Sequence, residues 1–355
     1  MGRDLTIYPI KATKEQLKEI IESHGFNRCK HLWDWPKGTL NYSWFESKDF
    51  LSIDGVSADI YPICDEEKKY TQNEWAVHVR NLYSASVFDV KKLNSVLRDI
   101  RKKYGGIIKG DYGTNKYAPL WEDESTPMSR GLTFVVNHVN RKIDSLLFAM
   151  PESCLKYPET NDISDPMTII MKSMDPIRVV YNAFVPFIIS AFEYFFSQTF
   201  QILLKYDDNA IGKRNTYNQK IQFEKVIEIS KGENTIEALI SNNYSFQNIG
   251  QINKAFKEWF DIDINKALFK KKKVGNKIKY LQKTMDEIIQ FRHGIIHHFE
   301  IDSSLTKDEV NNMLKVLQLV IDEVISCIEQ KYTIKIKKNL TPASTLTNGS
   351  SPFAG

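Results

Sequence analysis

The sequence predicts an α+β fold, with a mixed α+β domain at the N-terminus followed by an all-α helical bundle. Three observations predict it. Up to about residue 120, runs of strand period are interspersed with runs of helical period. From Asp175 onward the strand period vanishes and helical patterns remain. At 355 residues, the chain has room for two domains that each bury a core of their own.

Taking the elements in order, residues 6–10 read as a strand and 14–23 as a helix with Leu17, Ile20 and Ile21 on one face. In the tryptophan-rich stretch that follows, Trp33, Trp35 and Trp44 are expected as core or interface anchors, since an indole carries a large apolar area. Residues 51–63 and 74–83 are further strands. In the second, Trp75, Val77 and Val79 alternate with Ala76, His78 and Arg80, the mark of a half-buried strand. Ser86 with Asp89 forms a capping box that opens a helix, and Gly105-Gly106 ends it. Residues 107–117 continue as strand and turn. A ferredoxin-like split arrangement is one topology that fits. Residues 131–150 form a connecting helix, and 151–174, rich in Pro, Asp, Ser and Thr, read as a linker.

Asp175-Pro176 places an N-cap before a proline at the first helical position. A long apolar helix over 177–206 follows, with Pro186 as a point of kinking or a later start. Helical patterns recur at 218–230 and 248–259. Two final helices, 274–299 and 307–332, are joined by a short loop and so pack antiparallel. Thr306 and Glu309 form a capping box on the last, whose Val310, Leu314, Leu317, Ile321, Val324 and Ile328 keep helical spacing. The expected division is 1–125, a connecting segment 126–174, a helical domain 175–335, and a disordered Ser/Thr/Asn-rich tail 336–355.

Composition excludes several classes. With 42% hydrophobic and 26% charged residues the chain reads as soluble and globular, and a net charge of +4 is too small for a blanket polycation. Any nucleic-acid surface has to come from local clustering. Cys29, Cys64, Cys154 and Cys327 are scattered without a CxxC pair, which fits reduced thiols in a cytoplasmic protein and no thiolate zinc site. The first sixteen residues lack the apolar core of a secretory signal. Residues 184–204 have the length of a membrane span, but Glu193, Ser190, Gln198 and Gln201 interrupt them, so a buried core helix is expected and no membrane partner. Neither GxGxxG nor GxSxG occurs, and the GDYG stretch lacks the order of a phosphate loop.

One constellation concentrates chemistry. Three of the seven histidines, His293, His297 and His298, fall within six positions beside Arg292. The preceding stretch is basic, with Lys270, Lys271, Lys272, Lys273, Lys279 and Lys283 as candidate RNA contacts. The run Arg292-His293-Gly294-Ile295-Ile296-His297 resembles the HEPN superfamily (higher eukaryotes and prokaryotes nucleotide-binding domains), all-α modules marked by Arg, a polar residue, three variable residues and His. The resemblance covers about residues 175–332 and includes a lone carboxylate, Glu193, in the long apolar helix.

That resemblance implies a metal-independent endoribonuclease without cofactor, acting on RNA as a homodimer whose two motifs meet at the interface. It further implies a toxin or antiphage role of the abortive-infection type. By analogy, the N-terminal domain becomes a sensor or regulator open to a trigger ligand or an antitoxin. The chemistry is coherent: a 2′-hydroxyl cleaves its own phosphodiester once a base takes its proton, an acid protonates the leaving 5′-oxygen, and a cation steadies the transition state. Histidine can act as base or acid near neutral pH, and the planar fork of arginine fits two phosphate oxygens. Arg292 is assigned to phosphate charge, His297 to acid–base work, His293 to support and Glu193 to a partner role. Arg292 and His297 diverge by about 140° around an ideal helix, so two helices facing across a dyad form one cleft more readily than one helix does.

Plainer readings compete. Arg292 and His297 can cap the helix C-terminus, where cations suit the dipole. His293 and His297 have zinc-ligand spacing, but Gly294 stands where a zincin carries its glutamate. Glu193 can be a buried acid with a structural partner, and the lysine run a solvated loop. A HEPN-like dimer that binds RNA, nucleotide or protein without cutting is the rival function.

Overall fold

The computed structural model describes residues 2–30, 35–152, 166, 170, 175–217 and 220–337. The chain divides into two compact units, Met1–Arg130 and Gly131–Gly355.

In the first unit, β1 (Gly2–Tyr8), α1 (Lys14–Ser23), β2 (Asn27–Arg28), β3 (Leu40–Trp44), β4 (Val56–Pro62), β5 (Trp75–Leu82), α2 (Val87–Tyr104) and β6 (Ile107–Gly110) follow one another. They build one antiparallel sheet of order β2-β3-β4-β5-β1-β6. Both β1 and β4 pair antiparallel with β5, so they run parallel to each other with β5 between them. The segments β1-α1-β4 and β5-α2-β6 are thus interlocked crossovers, the ferredoxin-like option, extended at one edge by β2 and β3. Strand alternation sends Leu5, Ile7, Val77, Val79 and Ile60 to one face, where Leu17 and Ile21 of α1 and Leu93 and Leu97 of α2 complete the core. Each such fully buried aliphatic side chain contributes about 1.5–3 kcal/mol.

Local rules fix the helix ends. Asp89, fully buried, accepts the Ser86 amide at 2.9 Å and the Ile53 amide at 3.1 Å, so the capping box also holds the loop before β4. The turn into β6 requires Gly106 (φ 109°), because a Cβ there would lie 2.1 Å from the Tyr8 carbonyl oxygen. The first strand ends at Tyr8 rather than at residue 10, since Pro9 has no amide hydrogen to donate. Trp35 packs on Tyr61 and Trp44 on Phe26, as anchors; Trp33 lies outside the described residues.

The helix α3 (Pro127–Ala149) crosses from the first unit into the second. The linker expected at 151–174 and the tail at 336–355 lie largely outside the described residues. The second unit is organised around α4 (Pro176–Tyr206), which the Asp175 side chain caps by accepting the Ile177 amide at 3.0 Å and which runs through Pro186. By length and composition α4 could cross a membrane, and half of its most apolar window is buried within the unit. Then come α5 (Asp208–Asn215), α6 (Phe223–Ser230), α7 (Ile236–Ser241), α8 (Ile249–Phe260) and α9 (Ile264–Leu268). Aromatic edges join α4 to α8: the Phe200 and Phe260 rings lie 5.1 Å apart, and Phe196 and Phe256 5.8 Å.

A hairpin of β7 (Lys271–Val274) and β8 (Lys277–Tyr280) precedes α10 (Leu281–His298) and α11 (Lys307–Tyr332). This corrects the single helix expected over 274–299. Gly275 (φ 58°) and Asn276 form the two-residue turn that such hairpins favour, and the helix starts only after it. Ile278 is 73% exposed on β8, while Leu281, Met285 and Ile288 of α10 are buried. Likewise α6 begins at Phe223, not at residue 218.

Candidate active site at the end of the penultimate helix

Helix α10 carries the Arg-x4-His run in its last two turns and stops when Phe299 adopts the left-handed conformation (φ 53°). The Phe299 and Glu300 amides both donate to the Gly294 carbonyl, closing carbonyls that a helix end leaves open. The connecting loop is then fastened to α4. The Asn182 amide donates to the Asp302 carbonyl at 2.9 Å, and its side-chain oxygen accepts the Asp302 amide at 3.0 Å. The Arg178 guanidinium donates to the Leu305 carbonyl. Both residues are buried, and together they set α4 and α10 antiparallel with the motif end of α10 against the first half of α4.

That packing brings Glu193 and Arg292 together. From the Asn182–Asp302 contact, Glu193 is eleven residues along α4, about 16 Å of helix, and Arg292 is ten residues back in the chain, the last six of them within α10, which ends at His298. Burial pushes the Glu193 carboxyl above its ordinary range, and the charge of Arg292 opposes that shift. Two buried atoms of this pair, Glu193 Oε1 and Arg292 Nε, have no hydrogen-bond partner among the described residues. Arg292 is half-buried, whereas His293, His297 and His298 are exposed. The His293 and His297 rings lie 4.4 Å apart, and His293 and His298 5.7 Å. The guanidinium therefore faces the α4 carboxylate while the imidazoles line the outer side of the same two turns. Among the described residues, no three His, Cys, Asp or Glu groups gather where a metal ion could be held.

The lysines are placed differently from one another. Lys270 and Lys272 both close on Glu323 of α11, the second at 2.5 Å. Burial alone would raise the Glu323 carboxyl, but hydrogen bonds from the two ammonium groups hold it below its ordinary value. Lys271 lies over the Tyr280 ring at 4.9 Å, Lys279 is half-buried, and Lys273 and Lys283 are exposed. Lys270 directly precedes the hairpin, and the others belong to the hairpin or the first turn of α10. Arg292 starts about 16 Å further along the helix, so the basic cluster and the motif stand at opposite ends of α10.

Asn182 and Arg178 escaped the sequence reading. Their signal was a buried-type helix whose first two turns nonetheless carry an amide and a guanidinium, groups that need partners when enclosed.

A helical unit with one β-hairpin, closing on a long antiparallel helix pair with Arg-x4-His at the end of the first of the pair, defines the class of domain. Residues 159–330 match the family model described as RiboL-PSP-HEPN, and the C-terminal half of the chain holds a HEPN-superfamily domain. No curated protein and no solved structure matches the chain.

Proposed function

We propose that the protein is a cytoplasmic, metal-independent endoribonuclease of HEPN type that cleaves RNA by attack of the 2′-hydroxyl, in toxin or antiphage defence. The observation that carries this reading is the pairing of a half-buried guanidinium with an exposed imidazole on consecutive turns of α10. Arg292, held by the charge of Glu193, has donors left for phosphate oxygens. His297 reaches solvent, where it can take or give a proton, and the ring of His293 supports it.

The two groups point to different sides of one helix, so a complete site needs a second copy. A surface suited to that copy borders the motif: Phe187 of α4 is 61% exposed and Phe299 82%, with Val179 and Ile296 also exposed. Exposed apolar side chains beside charged groups suit an isologous contact.

Purified protein incubated with RNA in excess EDTA tests the reading. Cleavage is expected, falling at least about 100-fold in Arg292→Ala and in His297→Ala with the fold intact. Binding without cleavage would instead establish the non-catalytic alternative, and cleavage lost on adding EDTA would overturn the metal-independent mechanism.

A further inference from the structure

The groove at the start of α10 combines features that the fold itself does not require. Phe269 and Tyr280, with rings 5.5 Å apart, form its mouth and are 71% and 40% exposed. The groove encloses about 640 Å³ and continues along α10 over Gln282, Asp286 and Gln290. Those three residues recur every four positions, and the same stripe runs on through His293 to His297: all five lie within about 80° of one another around the helix. From Gln282 to His297 the stripe is about 22 Å long.

Exposed aromatic rings are costly to leave in water, and here cations stand beside them. Lys271, over the Tyr280 ring, and Lys283, in the groove's lining, are both exposed. A dyad-related copy on this face would set those lysines against their own equivalents, whereas a polyanion with flat apolar faces meets both features at once.

We propose that this groove is a binding site for single-stranded RNA, in which a base stacks on Phe269 and Tyr280 and the strand follows the stripe to His297. This rests on the ribonuclease reading for its choice of strand. Phosphates are met by the lysines. The groove's acids, Asp286 and Glu287, accept from base amino and ring N–H groups or from ribose 2′-hydroxyls, and Gln282 and Gln290 both accept and donate, so these side chains suit bases and sugars while the phosphates face the lysines. At the 3.4 Å spacing of a stacked strand, the track holds about six nucleotides between the anchored base and the cleaved bond.

The test is fluorescence anisotropy with a labelled, unstructured RNA of roughly twelve nucleotides, within the site sizes such grooves span, on the full chain carrying His297→Ala. Adding Phe269→Ala is expected to weaken binding about ten-fold, and Tyr280→Ala similarly; circular dichroism checks folding, and both side chains are exposed. Binding unchanged in both variants, or no binding by the His297→Ala chain, overturns the groove. So does a shift of oligomeric state on Phe269→Ala, which would make the face a contact between copies. The two proposals separate cleanly: RNA binding that depends on Phe269 without cleavage by the unmodified chain sinks the nuclease reading alone. Cleavage with binding indifferent to Phe269 sinks the groove alone.

Discussion

Replacing Asn182 with alanine removes the clamp between α4 and the loop that follows the motif. The amide makes two hydrogen bonds to the Asp302 backbone, at 2.9 and 3.0 Å, and is itself 2% exposed. A third bond, to the Arg178 carbonyl within its own helix, adds little because that carbonyl keeps its helical partner. Each lost inter-segment bond costs about 1 kcal/mol net. Asp302 lies at the surface, so its freed amide and carbonyl regain water and escape the larger penalty of a buried orphan. The expected loss is about 2 kcal/mol, a fall of about 4–8 °C in Tm for a unit of this size. Thermal unfolding by circular dichroism measures it, and amide exchange should quicken at residues 299–305 while α8 stays protected. A Tm within about 1 °C of the parent would refute the claim that this amide holds the loop.

Two further outcomes follow from the carboxylates. Glu193 has its folded-state value raised by burial, so the ionised form weighs against the fold and the relief comes with protonation. Glu193→Gln should therefore raise Tm at neutral pH, a gain that disappears as pH falls below the ordinary carboxyl value, while lowering RNA cleavage if the charge positions Arg292; an unchanged Tm would contradict it. Glu323 has the opposite sign. Its value is held down by Lys270 and Lys272, so its contribution is complete above about 4.5 and lost as pH falls through the depressed folded value. Unfolding of the parent against Glu323→Gln across that acid range should show their stability difference shrinking; a constant difference would refute the clamp.

Much of the architecture was legible because it is written locally. Capping boxes at Ser86 and Thr306, the Asp175-Pro176 start and the amphipathic spacing of α11 each depend on residues within one or two turns. The motif itself was legible for the same reason. The hairpin was hidden because its strands have only four residues each, β7 is Lys-Lys-Lys-Val with no alternation, and the Lys-Ile-Lys-Tyr of β8 is too short a period to separate from the helix that follows; Gly275-Asn276 was the remaining signal. The pairing of Glu193 with Arg292, and the grip of Asn182 on Asp302, join residues about a hundred positions apart and depend on how two helices pack, which periodicity does not reveal.

The most direct measurement mixes two inactive variants. If each site takes Arg292 from one copy and His297 from the other, an exchanged dimer of Arg292→Ala with His297→Ala regains one whole site. Half of all dimers are then mixed, and cleavage in EDTA should recover to about a quarter of the parent rate. If the mixture stays as inactive as either variant alone after demonstrated subunit exchange, the site is not shared between copies and the shared-site mechanism is wrong.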